Sequence, residues 1–442
     1  MDTASWQAWL HREGMRSMMR ARPIRPGPEK PVPPSHSVFD ARTCARARED
    51  FPSLKREFNG YPVAFLDGPG GTQVPSSVVA AIVDCYAKRN VNTHGNFPPS
   101  IELDARLLAA RGAIADFLGA AGPERISIGQ NMTSLAFSLS HAIGHSIAAG
   151  DEVLITQLDH EGNRGPWQLL ESQGALVREV PLLPSGELDY EAMARLISRR
   201  TRLLALGCSS NAIGTVNDLK RARELTRASG AFLILDAVHY APHFPIDVAA
   251  IDPDFLLCSA YKFYGPHVGI LYSRPGALES LTTDKLGVQE DAAPYRIETG
   301  TLNHPAIEGV AAAVDYLASF GRGDSRREAV HDAVAAISTY EHSLGQSLWS
   351  ALARLPGVRV WGVPFNDAQR APTVSFTVAG HDPALVARRL GERGICVWDG
   401  NFYAPRPVAI LQVPGGSLIR VGFSMYNTAE EISRLVAVIE SL

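Results

Sequence analysis

Lys262 stands in the run CSAYKFYGP (258–266), a few residues past an apolar stretch and just before a glycine turn at Gly265. An ammonium held beside apolar surroundings gives up its proton more readily than a solvated one, which suits it to attack a carbonyl and later to carry a proton. Taken alone it reads equally as an ordinary solvated lysine. Asp236 closes the run LILDAVH, with His239 three residues on. A carboxylate there needs a partner, which a protonated ring nitrogen would supply, unless it simply caps a helix. In SIGQNMTSL (127–135) a glycine precedes Asn131, Met132 and Thr133 at a predicted helix start, where free backbone N–H groups and the helix dipole can seat a phosphate. The run QLDHEGNRGPW (157–167) places His160 and Asn163 after a fourth apolar stretch, although a loop histidine is often only structural.

These groups follow strand-like runs. RISI (125–128), EVLIT (152–156), LVREVPL (176–182), RLLALG (202–207), AFLILD (231–236), FLLCS (255–259) and GILYS (269–273) alternate with amphipathic helical stretches. Strand-length apolar runs separated by helices imply strands buried on both faces, hence an α/β fold with a mainly parallel seven-stranded sheet. Ligands of such sheets bind beyond the carboxyl ends of the strands, where all four groups stand. A carbonyl-reactive amine, a partner for a pyridinium, a phosphate seat and a flat ring together meet the needs of pyridoxal 5′-phosphate. The large cofactor-binding domain is assigned to 80–320, and a smaller C-terminal α+β domain to 321–442. The latter holds helical segments at 328–352, 383–393 and from 430, with strand-like VRVWGV, TVSFTV, ICVW and SLIRVGF. Residues 46–79 are expected to pack with the small domain. Residues 1–45 read as a partly mobile extension, arginine-bearing at Arg12, Arg16, Arg20, Arg22 and Arg25 and proline-rich from Pro23 to Pro34.

At 442 residues, 45% hydrophobic and 20% charged, the chain can bury a large core. A formal net charge of -4 gives no reason to expect nucleic acid or an anionic membrane as partner. No apolar run approaches the roughly 20 residues of a membrane-spanning helix. The 5 cysteines form no CxxC pair, so neither a disulfide framework nor a metal site is indicated, and a cytoplasmic location fits.

Seven motifs occur in order from about Phe65 to the C-terminus: LDGPGGTQVPSSV (66–78), the His160 run ending in Pro166 and Trp167, SNAIGTVN (210–217), DAVHYAPHFPIDV (236–248), CSAYKFYGP, ETGT (298–301) and RVGFSMYNT (420–428). In these the chain resembles the group II cysteine desulfurase and selenocysteine lyase family, fold-type I enzymes of the class V aminotransferase group. The resemblance implies pyridoxal 5′-phosphate held as a Schiff base by Lys262, with Asp236 on the pyridinium and His160 stacked on the ring. It places Asn211 near the cofactor's phenolate or the substrate carboxylate, and Ser259 and Tyr261 at the phosphate, the tyrosine replacing a more usual histidine. His239 stands where a glutamine is typical. Asn131 and Met132 take the phosphate seat without the family's paired threonines, leaving backbone N–H groups and Thr133. The amino-acid substrate falls to Arg420, Asn211 and Gly70, and a guanidinium holds a carboxylate through two parallel bonds. Thr301 occupies a loop that in the family reaches the partner subunit's phosphate, implying a homodimer with shared sites.

The departure lies in VWDGNFYA (397–404). The family pattern has a histidine pair and then the persulfide-forming cysteine before this alanine, and here Asn401, Phe402 and Tyr403 stand instead. A phenol cannot take up sulfur as a persulfide. Cys396, seven residues before Tyr403, reads as strand packing. Tyr403 reads as a catalytic proton donor, a substrate contact or packing. The expectation is desulfurase-like C–S, C–Se or β-lyase chemistry on an amino acid without a persulfide cysteine. Transamination, racemisation or epimerisation, and a non-catalytic partner protein on the same fold, stay open. Loops at 92–100, 285–296 and 399–410 are expected to set side-chain specificity.

Overall fold

The computed structural model describes residues 37–365 and 369–442. Of the extension expected at 1–45, residues 1–36 lie outside the described residues.

Strands β1 (Ile126–Gly129), β2 (Glu152–Thr156), β3 (Leu176–Val180), β4 (Thr201–Gly207), β5 (Phe232–Asp236), β6 (Phe255–Ser259) and β7 (Gly269–Ser273) form one seven-stranded sheet in the order β1-β7-β6-β5-β4-β2-β3. All run parallel except β7, which is antiparallel to both β1 and β6. Its direction follows from the short turn that joins it to β6, since a parallel return would need a helical crossover. The central strands bury both faces. In β4, Leu204 and Leu206 join one apolar cluster while Leu203 and Ala205 join another across the sheet. Strand β3 departs from that pattern: as an edge strand it alternates between exposed and half-buried residues.

A second sheet, β8 (Val358–Trp361), β9 (Thr373–Val378), β10 (Trp398–Gly400) and β11 (Leu418–Gly422), is antiparallel in the order β8-β9-β11-β10. A third apolar cluster joins its inward residues Val374, Phe376, Ile419 and Val421 to side chains of helices Arg326–Leu352, Pro383–Glu392 and Ala429–Glu440. The ICVW run is not one strand. Ile395 and Cys396 pair in parallel with Ala64 and Phe65, whereas Trp398 begins β10. Capture by the 64–65 segment splits the run between two sheets.

Helix Ala41–Arg48 is capped by Asp40, which accepts from the Thr43 N–H, and buries Cys44 and Ala47. The ETGT segment is tied to the large sheet through Glu298. Its carboxylate takes two bonds from buried Arg111, at 2.6 and 2.8 Å, and one from the Ile128 N–H at 2.6 Å. No described helix is long and apolar enough to cross a membrane, all five cysteines are free, and no metal-binding cluster occurs among the described residues.

Candidate active site

The carboxyl ends of β1, β2, β4, β5 and β6 open into one cavity of about 1480 Å³, closed on other sides by residues 67–74, 398–403 and Arg420. Of the candidate site residues named from sequence, all but Asn163 and Thr301 line it. Thr301 is exposed and lies with Arg89 and His304 around a separate cavity of about 500 Å³.

Lys262 sits in the turn between β6 and β7, anchored because its chain neighbours are claimed elsewhere. The Tyr261 carbonyl accepts from the Thr72 N–H at 3.0 Å, and the Tyr264 N–H donates to Thr72 Oγ1 at 2.7 Å. Its Nζ donates to the carbonyls of Pro69 and Gly70 and lies 4.8 Å from the centre of the Tyr261 ring. Burial, and then the Arg420 cation, lower its pKa from 10.5 to about 7. Near neutrality this is a free amine about as often as an ammonium.

Asp236 ends β5, and its Oδ1 accepts from the Val238 N–H at 2.8 Å. Burial lifts its pKa to about 6. Behind it lies Asp159, unremarked in sequence, which accepts from Gly207 N–H and Asn163 Nδ2 at 3.0 Å each. Burial, then the Asp236 charge, raise Asp159 to about 7. The rule that drew attention to Asp236, a carboxylate closing an apolar strand, applies equally to QLD. His160 Nδ1 accepts from the Gly162 N–H at 2.9 Å, which leaves the proton of the neutral ring on Nε2. Burial, Lys262 and Arg420 hold its pKa down at about 4, so the ring stays neutral.

At the proposed phosphate seat, Asn131 caps helix Met132–Gly144 by accepting from the Ser134 N–H, and the Met132 N–H donates to Ser259 Oγ at 3.0 Å. Thr133 lines the cavity at the same helix start. A helix N-terminus with a hydroxyl beside it can seat an anion. Tyr261 packs against His267, ring centres 4.6 Å apart. His239 Nε2 lies 2.9 Å from Thr373 Oγ1, a contact between the two sheets, and burial holds its pKa far below the usual value.

Arg420, on β11, donates to the Asn211 carbonyl at 3.2 Å and to Asp67 Oδ1 at 3.3 Å. The Phe402 ring lies under its guanidinium at 4.3 Å. Phe402 and Tyr403 are consecutive left-handed residues, φ 59° and 55°. Such a conformation costs non-glycine residues roughly 1–2 kcal/mol each. Bonds on both sides offset it: Asn211 Nδ2 donates to the Phe402 carbonyl at 2.9 Å and Glu161 N–H to the Tyr403 carbonyl at 2.8 Å. Tyr403 itself is 73% exposed, its ring centre 5.8 Å from that of His160. Asp67 and Phe402 are the other site residues whose roles the sequence reading missed, although both stand in runs it quoted.

Several buried polar atoms of the cavity residues lack partners: Asn211 Oδ1, His239 Nδ1, Arg420 Nε and Ser209 Oγ. Buried polar groups ordinarily find a partner. An amine, a carboxylate and unfilled donors and acceptors around one cavity fit pyridoxal 5′-phosphate with an amino acid.

The sheet order, with its lysine turn before one antiparallel strand, and this donor set define a pyridoxal-phosphate-dependent enzyme. The chain belongs to the class V aminotransferase family, whose sequence model matches residues 64–435. A cysteine desulfurase of Yersinia pestis is 33% identical over 408 residues, covering 89% of this chain and 96% of that protein. Among solved structures, the cysteine desulfurase CsdA of Escherichia coli superposes with a TM-score of 0.79 at 28% identity, over 91% of this chain and 98% of that one. An apo cysteine desulfurase from Thermococcus onnurineus NA1 gives 0.81 at 26% identity, over 90% and 97%.

Proposed function

We propose that this enzyme cleaves a C–S, C–Se or comparable bond at the β-carbon of an amino acid and does so without a persulfide cysteine. The observation that carries the reading is the 401–403 segment, where a tyrosine in a doubly tethered loop takes the place of a mobile thiol. When bound, pyridoxal 5′-phosphate supplies a reactive aldehyde and a sink for charge developing at the amino acid's α-carbon. Lys262 Nζ anchors the cofactor and, with its pKa near 7, takes up and returns the α-proton. Asp236 would hold the ring nitrogen, and the neutral His160 ring would pack on the cofactor. The Met132 and Thr133 N–H groups, Ser259 and Tyr261 hold the phosphate. His239 and Asn211 serve the phenolate side, and Arg420, with Asn211 and Gly70 beside it, orients the α-carboxylate. Tyr403 stands at the mouth as a substrate contact and proton donor.

The family likeness to desulfurases supports sulfur or selenium as the leaving atom. We read 80–320 and 321–442 as two domains, with 46–79 packing on the second. We also infer a homodimer in which Thr301 reaches the partner's phosphate, in a reducing compartment such as the cytoplasm. The exposed apolar stripe Val79, Val83 and Tyr86 on helix Ser76–Arg89, adjoining the Thr301 cavity, supports such an assembly.

The test is product analysis of the holoenzyme with L-cysteine, L-selenocysteine and other β-substituted amino acids. Elimination from cysteine or selenocysteine, with one water consumed, gives pyruvate, ammonia and sulfide or selenide; alanine formed from selenocysteine is accompanied by elemental selenium, which an added thiol reduces to selenide. Cys396→Ser is expected to retain most activity, and no protein persulfide should accumulate. A persulfide mapped to Cys396, with alanine formed from cysteine and activity lost in the serine variant, would overturn the reading.

A further inference from the structure

The Arg420 guanidinium already has a carboxylate beside it. Asp67 reaches it from the segment that follows Phe65, with Oδ1 3.3 Å from Nη2. The tight turn after Asp67 fixes that reach, because the Asp67 carbonyl accepts from Gly70 N–H at 2.9 Å and Gly71 N–H at 3.2 Å. A side chain at Gly70 would meet Asp67 Oδ2 at 2.2 Å, so the glycine is what leaves room for the carboxylate. The same turn presents the Gly70 carbonyl to Lys262 Nζ at 3.0 Å. Arg420 is otherwise poorly satisfied: one bond to the Asn211 carbonyl, and Nε with no partner. The contact with Asp67 is long for a charge-assisted bond, which ordinarily runs about 2.7–2.9 Å.

We propose that Asp67 is a built-in competitor for the substrate's α-carboxylate: it occupies Arg420 in the free enzyme and is displaced from the guanidinium when the amino acid binds. The proposal rests on Arg420 being the carboxylate site. Two carboxylates and one guanidinium then share a buried space, so the displaced Asp67 takes up a proton. Burial already raises its pKa, with Arg420 and then Lys262 opposing, and losing Arg420 to substrate raises it further. The titratable or charged groups facing it are Arg420 on β11, Lys262 in the β6–β7 turn, Cys396 and Tyr426, each of which shares an electrostatic interaction with it. Of these, Arg420 is the lasting cation, since the Lys262 pKa is lowered to about 7. Binding of a carboxylate is therefore tighter where Asp67 accepts a proton easily, and weakens as pH rises. The competitor makes the site selective: a ligand whose carboxylate does not seat fully on Arg420 cannot dislodge Asp67.

L-Alanine serves as the probe, titrated into holoenzyme and followed by the visible spectrum, with propionate, which lacks the amine, measured by calorimetry in two buffers of different ionisation enthalpy. Asp67→Asn should tighten both by roughly tenfold at mildly alkaline pH, the size of one charge-assisted bond no longer to be broken. The gain should shrink as pH falls, and the proton uptake accompanying propionate binding in the wild type should vanish. Weaker binding in Asp67→Asn would make Asp67 a structural support of Arg420 and overturn the proposal, as would unchanged affinity or unchanged proton uptake. Arg420→Met separates the two levels: if it binds both probes as the wild type does, the carboxylate site itself is misassigned, whereas lost binding with an unimproved Asp67→Asn sinks only the competitor.

Discussion

Lys262 offers the most direct physical test of the site. Its pKa falls from 10.5 to about 7, with burial the larger cause and the Arg420 cation the next, while Asp67 and Asp236 pull the other way. That displacement is worth about 5 kcal/mol in favour of the neutral amine. At pH 7 an ordinary lysine is deprotonated in about one molecule in three thousand, whereas Lys262 would be so in about half. Covalent capture of pyridoxal 5′-phosphate by the apo-protein requires the free amine, so its rate at pH 7 should exceed that of a solvated lysine by up to about a thousandfold. The measurement is stopped-flow mixing of apo-protein with cofactor between pH 5.5 and 9.5. The rate should rise through a midpoint near 7 and then level off. Removing the neighbouring cation with Arg420→Met relieves the protonated form, so the midpoint should move up. Removing a carboxylate with Asp236→Asn should move it down. Comparing variants cancels the cofactor's own ionisations. A wild-type midpoint above pH 9, or variants that shift in the same direction, would refute the electrostatic account.

Asp236→Asn should also hold the cofactor more weakly, by about 1.5–3 kcal/mol for loss of a charge-assisted bond, measured as cofactor retained after gel filtration at falling protein concentration. Glu298→Gln keeps the shape of the side chain but leaves the buried Arg111 charge without its carboxylate. It should cost about 3–5 kcal/mol in urea unfolding and loosen the segment carrying Thr301, and an unchanged midpoint would show that water reaches the pair.

Strand positions were legible because each run is a short apolar stretch bounded by turns, and all seven start at the residue where the sequence puts them or one residue away. RISI starts one residue late because Arg125 is taken by a single helical turn, Pro123–Arg125. Strand order was not legible, since it depends on which connections cross the sheet; β7 reverses because only residues 260–268 join it to β6, too short a link for a helical crossover. The pairing of Ile395 and Cys396 with Ala64 and Phe65 has no signature at all, being two residues long on each side. Within the site, residues at strand ends could be read from position, as with Lys262, Asp236 and His160. Contacts that join distant segments could not: His239 with Thr373, Arg420 with Asp67, Asn211 with the Phe402 carbonyl.

That division between strand ends and distant segments also separates the two parts of the site, the strand ends that line the pocket and the loop that carries Tyr403. The residues around Lys262 are set by the large sheet, whose central strand ends are fixed by two buried faces, and a change there disturbs the core. Residues 401–403 belong to the connection between β10 and β11 in the other sheet, anchored to the pocket by only a few bonds, from Asn211 and Glu161 and through Phe402 under Arg420. A loop held that way can change its side chains without moving Lys262, Asp236 or the start of helix Met132–Gly144. On the proposed reading, removal of the α-proton depends on the half set by the large sheet. The fate of the β-substituent depends on what the loop presents, and here it presents a phenol on a backbone held in left-handed geometry, with neither the sulfur nor the freedom of movement that a relay demands.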